Sequence, residues 1–549
     1  MAIRLVSRAR AAGLVISPRD VFQYQTVVGL AGVVSVVDAG PVVQEPDAGV
    51  GVVPETPVMS WLRELGGPVD GFCQSMVLAT PAGLGLDGLC RVVQAVLDRH
   101  DMLRARLVTT GGGWELVVAA AGGVRAEDGV IAVDVRGLDE AGTEAVLAEH
   151  ARSAQARLAP EAGVMVQVVW LDAGPDRPGR VLLVVHHLVV DGVSWRILVP
   201  DIAAAWREVV AGRDPVPSPV ATSFRWWSQR LVEAATDPVR VGELSLWREI
   251  LGTADPLLGG RGLDRRVDTV ATADALRVSV PQRWTVPLLT RVPATFHGQV
   301  NDVLLTALGL AAGRWRACRG DADVPVLVEV EGHGRESIVP GADVSETVGW
   351  FTSVFPVRVD PGPESWAEVC AGGPGLGNAV KRVKEQLRAI PDNGIGFGLL
   401  RHLNPDTGPQ LAGRAPQIGF NYLGRLTIGD HETPPVDQDW GVLTDGGGGP
   451  LGGRMPLAHV VEVNAVTVDG VDGPQLVASW SWARGLLTRA DVEELAGYWV
   501  QALQAIVEHA EHDDAGGHTP SDFSSVTLAQ DDIDALEAGQ PVADVWALS

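Results

Sequence analysis

Two adjacent histidines and a carboxylate four residues further on, in HHLVVDGVSW (His186 to Trp195), combine a group that titrates near neutral pH with an acid. The stretch follows directly on Val181 to Val185, a continuous, β-branched apolar run that reads as a buried strand. Beyond it, Trp195, Leu198, Ile202, Trp206 and Val209 recur on one face of a helix. The histidines therefore stand at a strand-to-helix turn. Gly192 suits such a turn, where a residue without Cβ permits close approach or positive φ. Asp191 is expected to accept hydrogen bonds from nearby amides or to pair with an arginine, and its role reads as structural. His186 and His187 alone leave three readings open: hydrogen-bonded core histidines, metal ligands, or a proton-transfer site.

A second strand brings a second cluster. Val324 to Val330 is another β-branched apolar run, and it ends in EGHGRE, which sets Glu331, His333, Arg335 and Glu336 just past the strand. Two buried strands delivering ionisable groups at their C-terminal ends favour proton handling. Ser194 has no base-orienter partner apart from the same histidines, so it reads as a helix cap and a serine-hydrolase triad is disfavoured.

HHxxxDGxSW resembles the core motif of the condensation-domain superfamily of nonribosomal peptide synthetases, and EGHGRE resembles the motif of its epimerization branch, which peptide-bond-forming relatives generally lack. TVGWFTSVFPV from Thr347, PDNGIGFGLLRHL from Pro391 and FNYLGRL from Phe420 extend the resemblance in the expected order, from about residue 54 to about residue 536. Phe355 and Phe397 stand where tyrosine is expected in many relatives, and Arg425 where glutamine is common. The resemblance implies an α/β fold of two chloramphenicol-acetyltransferase-like lobes in a V-shaped arrangement with a central channel. His187 would come from the first lobe and Glu331 from the second.

The chemistry so implied is removal and return of the Cα proton of an aminoacyl or peptidyl thioester. It needs a base on one face, an acid on the other and a donor near the carbonyl oxygen. Glu331 and His187 are the expected catalytic pair, with Glu331 the better candidate for the L-face proton, because burial raises a glutamate toward neutrality. A one-base route with water returning the proton is the alternative mechanism. His186, Asp191, Asn421 and Tyr422 are expected in support. Asn421 and Tyr422 would bind the enolate or orient substrate, against a plain turn with a packed ring. Trp350 and Phe351 are expected to wall the channel. The domain would need no metal and no cofactor of its own, its substrate arriving on the 4'-phosphopantetheine of a carrier protein. A condensation domain, in which His187 assists amide formation, is the principal rival. A degenerate, recruiting member of the superfamily is disfavoured by the intact histidine motif.

Lys381, Arg382, Lys384 and Arg388 cluster on a helix whose apolar residues are Val380, Val383, Leu387 and Ile390. A solvated face is the plainer reading. The sharper one gives Lys381, Arg382 and Lys384 to the phosphate of the pantetheine arm.

The ends imply a segment of a longer assembly line. Residues 1–33 resemble the later helices of a peptidyl carrier domain without its attachment serine, with Ser17 and Pro18 marking a helix start, and 34–53 read as a linker. Residues 54–240 form the expected N-terminal lobe, with turn signals near 240–260 dividing it from a C-terminal lobe over 241–515. Residues 516–549 lead, through VADVWALS, toward a following condensation domain. An upstream carrier domain and a downstream condensation domain are the expected partners, and a monomer the expected state. The irregular Gly446 to Gly453 run is read as a flexible crossing between lobes and not a phosphate loop.

A hydrophobic content of 46% is ample for a core, and the formal net charge of -25 argues against nucleic acid, whose binding rests on cations at phosphates. No apolar stretch approaches the roughly 20 residues of a membrane span, and no secretion signal opens the chain, so a cytoplasmic location is expected. Cys73, Cys90, Cys318 and Cys370 are too scattered for a zinc site or a disulfide framework.

Overall fold

The computed structural model describes residues 9, 14–16, 27–36, 49–216, 218–320, 325–363, 365–413, 415–426, 439–448, 452–470, 473–512, 515–523, 526–538, 542 and 545. Ser17, Pro18, most of the carrier-like and linker stretches and most of VADVWALS lie outside the described residues.

Apolar runs bounded by turns build the first lobe. Strand β1 (Gly51–Pro54) leads into helix α1 (Pro57–Leu65). Strand β2 (Cys73–Ala79), helix α2 (Leu86–Arg99), strands β3 (Ala105–Thr110), β4 (Gly113–Val118) and β5 (Val130–Asp134) and helix α3 (Glu140–Ala156) follow. Strands β6 (Val166–Asp172) and β7 (Arg180–His186) then deliver the chain to helix α4 (Trp195–Val210). β2, β7, β6 and β5 are neighbours in one sheet, antiparallel except for the β6–β5 pair, and β1, β4 and β3 form a small antiparallel sheet. Leu198 and Ile202 of α4 bury against Val168, Leu183 and Val185, as the helical spacing predicts.

The second lobe contains β8 (Ala273–Val280), helix α5 (Val300–Ala317), β9 (Val326–Gly332), β10 (Ser353–Val359), helix α6 (Pro374–Arg388) and β11 (Ile418–Leu426). After β12 (Val442–Gly448), which joins the first lobe's sheet, β13 (Val461–Gly470), β14 (Gly473–Ala483), helix α7 (Arg489–His509) and helix α8 (Gln530–Glu537) complete it. Thr488 and Asp491 form a reciprocal capping box that starts α7. The sheet runs β8-β14-β13-β11-β9-β10, with parallel pairs only at β13–β11 and β11–β9.

Register fixes which side chains of this sheet face which way. Val330, Phe420, Val463 and Trp480 form one cross-strand row, and Trp480 packs edge-on against Trp499 of α7. Because strand side chains alternate, the rows holding Glu329 and Glu331 point away from α7.

Division in space does not follow division in sequence. Ala235 closes the first lobe's core and Trp247 opens the second's. Yet Val344, Val348, Trp350, Phe351, Ile395, Leu399, Trp440 and Met455, all later in the chain, pack into the first core. β12 likewise crosses over and pairs antiparallel with β2. The Gly446 to Gly453 run is thus a crossing whose first residues form a strand, with 449–451 outside the described residues.

Candidate active site

His186 is the last residue of β7 and His187 opens a single 3-10 turn, Val189 its end. His186 is fully buried. Its Nε2 donates to the carbonyl of Val69 at 2.8 Å and its Nδ1 accepts from the amide of Leu188 at 3.2 Å, an arrangement that requires the neutral ring. Burial pushes its pKa down to about 4. His186 therefore holds the turn and does not exchange protons.

His187 turns the other way, flat on Phe72 with ring centroids 4.7 Å apart and tilted against Trp350 at the same separation. Its Nε2 lies 2.9 Å from Nε2 of Gln74. The indole Nε1 of Trp195 donates to the Gln74 oxygen at 2.8 Å, and an indole nitrogen is only a donor. The Gln74 amide nitrogen must then face His187, whose Nε2 accepts and whose proton sits on Nδ1. That nitrogen turns toward the backbone carbonyls of His187 and Val190 without reaching hydrogen-bond geometry. Burial holds the His187 pKa below the ordinary imidazole value, with Asp191 opposing.

Strand β9 is buried through Val330 and emerges at Glu331. The Glu331 carboxylate accepts from Asn421 Nδ2 at 2.9 Å. Enclosure by protein and the neighbouring carboxylate of Glu462 push its pKa up to about 7, a rise tempered because the Glu331 side chain remains exposed to water. Tyr422, next along β11, is on the opposite face and bonds Thr467 through its hydroxyl at 3.0 Å, so it packs in the core beyond reach of Glu331. Asn421 thus stands beside Glu331, and Tyr422 does not.

The two motifs are bolted together. Arg335, four residues after Glu331, meets Asp191, four residues after His187, with Nη2 3.2 Å from each carboxylate oxygen. Arg335 Nη1 also donates to the carbonyls of Val344 and Thr347, and the guanidinium lies 3.9 Å over the ring of Phe351. Asp191 additionally accepts from the Ser194 amide and hydroxyl and from the Phe351 amide. Ser194 consequently makes no side-chain cap for α4: its hydroxyl is directed to Asp191. Gly334 has φ +66° and would drive a Cβ to 1.7 Å from the Phe351 carbonyl, so the motif's second glycine is required by close packing. Gly192 is not: it is exposed, its φ is not positive, and a Cβ there would meet nothing. Trp350 stands beside His187, whereas Phe351 packs inward on Phe224 and Trp227 and shapes the junction, not the channel.

The basic cluster on α6 is neither a solvated face nor a set of free phosphate ligands. Lys384 is buried and donates to both oxygens of Asp522 at 2.7 and 2.6 Å and to the carbonyl of Phe296. Lys381 pairs with Asp534 of α8 and Arg388 with Asp302, while Arg382 is exposed beside Gly362. Lys384 is thereby removed from the phosphate-contact candidates, since its charge is already neutralised inside the fold.

Gln74, Phe72, Glu329, His459 and Glu462 are site residues that the sequence reading missed. Gln74 carried one faint signal, as a polar residue within the apolar run of β2. Among the described residues no group of three or more histidine, cysteine, aspartate or glutamate side chains is placed to hold a metal ion, and no helix is long and apolar enough to cross a membrane. The arrangement offers one carboxylate near its own titration midpoint and one neutral imidazole, both attached to the same junction between lobes.

A family model described as the condensation domain matches residues 61–528. One of the linear gramicidin synthase proteins of Brevibacillus parabrevis is 34% identical over 559 residues, covering 100% of this chain and 7% of that protein. Chondramide synthase of Chondromyces crocatus is 33% identical over 98% of this chain and 13% of its own length. This chain thus spans a small part of such relatives. Among solved structures, the epimerization domain from the third module of tyrocidine synthetase B superposes with a TM-score of 0.71 at 26% identity, covering 84% of this chain and 99% of that one. The condensation domain of the monacolin K polyketide synthase shares the fold, with a TM-score of 0.60 at 14% identity over 84% of this chain and 98% of its own.

Proposed function

The chain belongs to the condensation-domain family, and from that premise we propose that it is an epimerization domain of a nonribosomal peptide synthetase. On this reading it inverts Cα of an L-aminoacyl or peptidyl thioester held on the 4'-phosphopantetheine arm of a carrier domain, giving a D/L mixture. The observation that carries the reading is Glu331: a carboxylate on the open side of the second lobe, oriented by Asn421 and brought close to pH 7. Such a group takes and returns a proton at nearly equal cost at neutral pH. The thioester acidifies the Cα proton, so the domain calls on no metal and no cofactor of its own. Glu331 removes the L-face proton, and His187 or a water beside it serves the opposite face. Similarity to the tyrocidine synthetase epimerization domain supports the assignment. An upstream carrier domain, a downstream condensation domain, a cytoplasmic setting and a monomeric state complete the proposal.

The test is deuterium uptake at Cα, with stereochemical analysis, when the chain meets a separately loaded carrier in heavy water. Exchange with approach to a D/L mixture supports epimerization. Glu331→Gln should lower the exchange rate by about 10²–10⁴-fold, the usual contribution of a positioned acid or base. His187→Ala should slow it less if water can serve its face. If neither change slowed exchange, the site assignment would fail. No exchange, but amide formation once a second loaded carrier is added, would establish a condensation domain acting through His187.

A further inference from the structure

The face of the second-lobe sheet that holds Glu331 carries a second charged row. Register sets Glu329 of β9 opposite Gly419 of β11, and Gly419 opposite Glu462 of β13. The glycine leaves a gap in this row, and the imidazole of His459 fills it: a Cβ on Gly419 would come within 2.4 Å of His459 Nδ1. From that seat Nε2 lies 3.3 Å from Glu329 Oε2, and Nδ1 lies 3.9 Å from Glu462 Oε2. The first contact is a hydrogen bond and the second an ion-pair separation. Two residues along, Asn421 donates to Glu331, and Asn464 donates to Glu462 Oε1 at 2.9 Å, so Glu331 stands directly above the row. The other titratable group facing it is His402, whose pKa burial lowers, which interacts with Glu329 and has Glu64 and Arg401 behind it.

Three carboxylates on one face repel one another, and such crowding of like charges raises the pKa of at least one of them. A cation inside the lower row relieves this. Resting on the epimerization reading, we infer that His459 is a positioning residue, held as an imidazolium between Glu329 and Glu462, and that this resident cation sets the pH range in which Glu331 exchanges protons. Burial works against charge on His459, but the two carboxylates outweigh it and hold its pKa up at about 10. The same two carboxylates raise Glu331 while His459 lowers it. Gly419, which immediately precedes the FNYLGRL stretch, then has a reason to be glycine: a side chain there evicts the ring.

The pH dependence of Cα exchange distinguishes tuning from mere structure. In the unaltered chain the rate falls as Glu331 protonates below about pH 7. His459→Gln should move this limb up by about one pH unit, the effect of one charge several ångströms away in a partly screened site. Glu462→Gln should move it down by about as much, since its carboxylate acts on Glu331 at least as strongly as His459 does, and the double variant should return close to the starting profile. Gly419→Ala should shift the limb in the same direction as His459→Gln. Lower rates at every pH with an unmoved limb would reduce His459 to a packing residue and overturn the inference. A second readout does not depend on turnover: in selectively labelled protein, the His459 ring resonances, identified by their loss in His459→Gln, should stay those of a charged ring from pH 6 to about 9. Titration near the ordinary imidazole value would equally overturn it. Absence of exchange by the unaltered chain would sink the epimerization reading together with the role given to His459, whereas normal exchange with an unmoved limb would sink that role alone.

Discussion

Replacing Asp191 with asparagine should be among the most damaging conservative changes available to this chain. The Asp191 and Arg335 side chains are 5% and 2% exposed, at 3.2 Å from each other. At an effective dielectric near 20 that separation corresponds to roughly 5 kcal/mol of attraction, most of which offsets the cost of taking both charges out of water. Removing one partner leaves the other's desolvation uncompensated, which costs about 3–5 kcal/mol. The two partners are not equivalent. Asp191→Asn leaves the guanidinium without a counter-charge, held by the Val344 and Thr347 carbonyls, the Ser194 hydroxyl and one amide oxygen, and points an amide N–H₂ at the donors on Ser194, Phe351 or Arg335. Arg335→Met leaves a carboxylate that still accepts from the Ser194 amide, the Ser194 hydroxyl and the Phe351 amide. We expect about 4 kcal/mol for Asp191→Asn and about 2–3 for Arg335→Met, with a double variant costing at least 1.5 kcal/mol less than the sum. Urea unfolding followed by tryptophan fluorescence measures all three, and an unchanged m-value confirms that the folded state is the one altered. Cα exchange by Asp191→Asn below its unfolding transition should also fall at least tenfold, because the two motifs lose their common anchor. Additive costs, or a loss under about 1 kcal/mol for Asp191→Asn, would refute the view of this pair as a desolvated bolt between the motifs.

Asn421→Ala removes a hydrogen bond that stabilises the charged form of Glu331, so the acid limb of Cα exchange should rise by about half to one pH unit, less than a buried charged bond would give because channel water replaces part of it. His186 is neutral when folded, and the unfolded chain takes up its proton first. Stability should therefore be full above about pH 6.5 and fall by about 3 kcal/mol as the pH drops toward 4. His186→Gln should flatten that slope in urea titrations while lowering stability at pH 8. Asp522→Asn should leave the Lys384 ammonium buried beside the Phe296 carbonyl alone, costing about 2–3 kcal/mol and speeding proteolysis of residues 515–538, while the KM for carrier-bound substrate stays unchanged. A large rise in KM would restore the phosphate role to this cluster.

Much of the site was legible because its parts lie at the ends of two apolar strands. Val181 to Val185 falls inside β7, the second run lies in β9 from Val326 onward, and Trp195, Leu198 and Ile202 bury as their spacing requires. That Asp191 would meet an arginine followed from its chemistry, but Arg335 lies 144 residues away and no local pattern points to it. Two misreadings were avoidable. Successive strand residues face opposite ways, so Asn421 and Tyr422 could not serve one site together. Counting from Val380, positions 383, 384 and 387 share a helix face, which places Lys384 in the buried stripe, not on the solvated side. Gln74 and His459 were hidden for a different reason. Each acts through a neighbour supplied by another strand, and only the register of the sheet reveals it.

The two motifs look alike in sequence and differ in readiness. Trp195 fixes the Gln74 amide, and Gln74 in turn engages the Nε2 lone pair of His187, so this imidazole enters the cycle neutral and already hydrogen-bonded. Burial keeps it from gaining a proton until Gln74 gives way or substrate displaces it. Glu331 is subject to no such lock: its one side-chain partner donates to it, and it stands near the midpoint of its titration. Under the proposed reading, the carboxylate can therefore begin proton transfer in either direction, while His187 can donate a proton from Nε2 only after first being charged. On that reading the initiating step belongs to the second lobe. The asymmetry also explains why the polar contacts of the first lobe serve geometry: His186 holds the turn, Asp191 anchors it to Arg335, and His187 is kept stacked between Phe72 and Trp350 where a substrate would meet it.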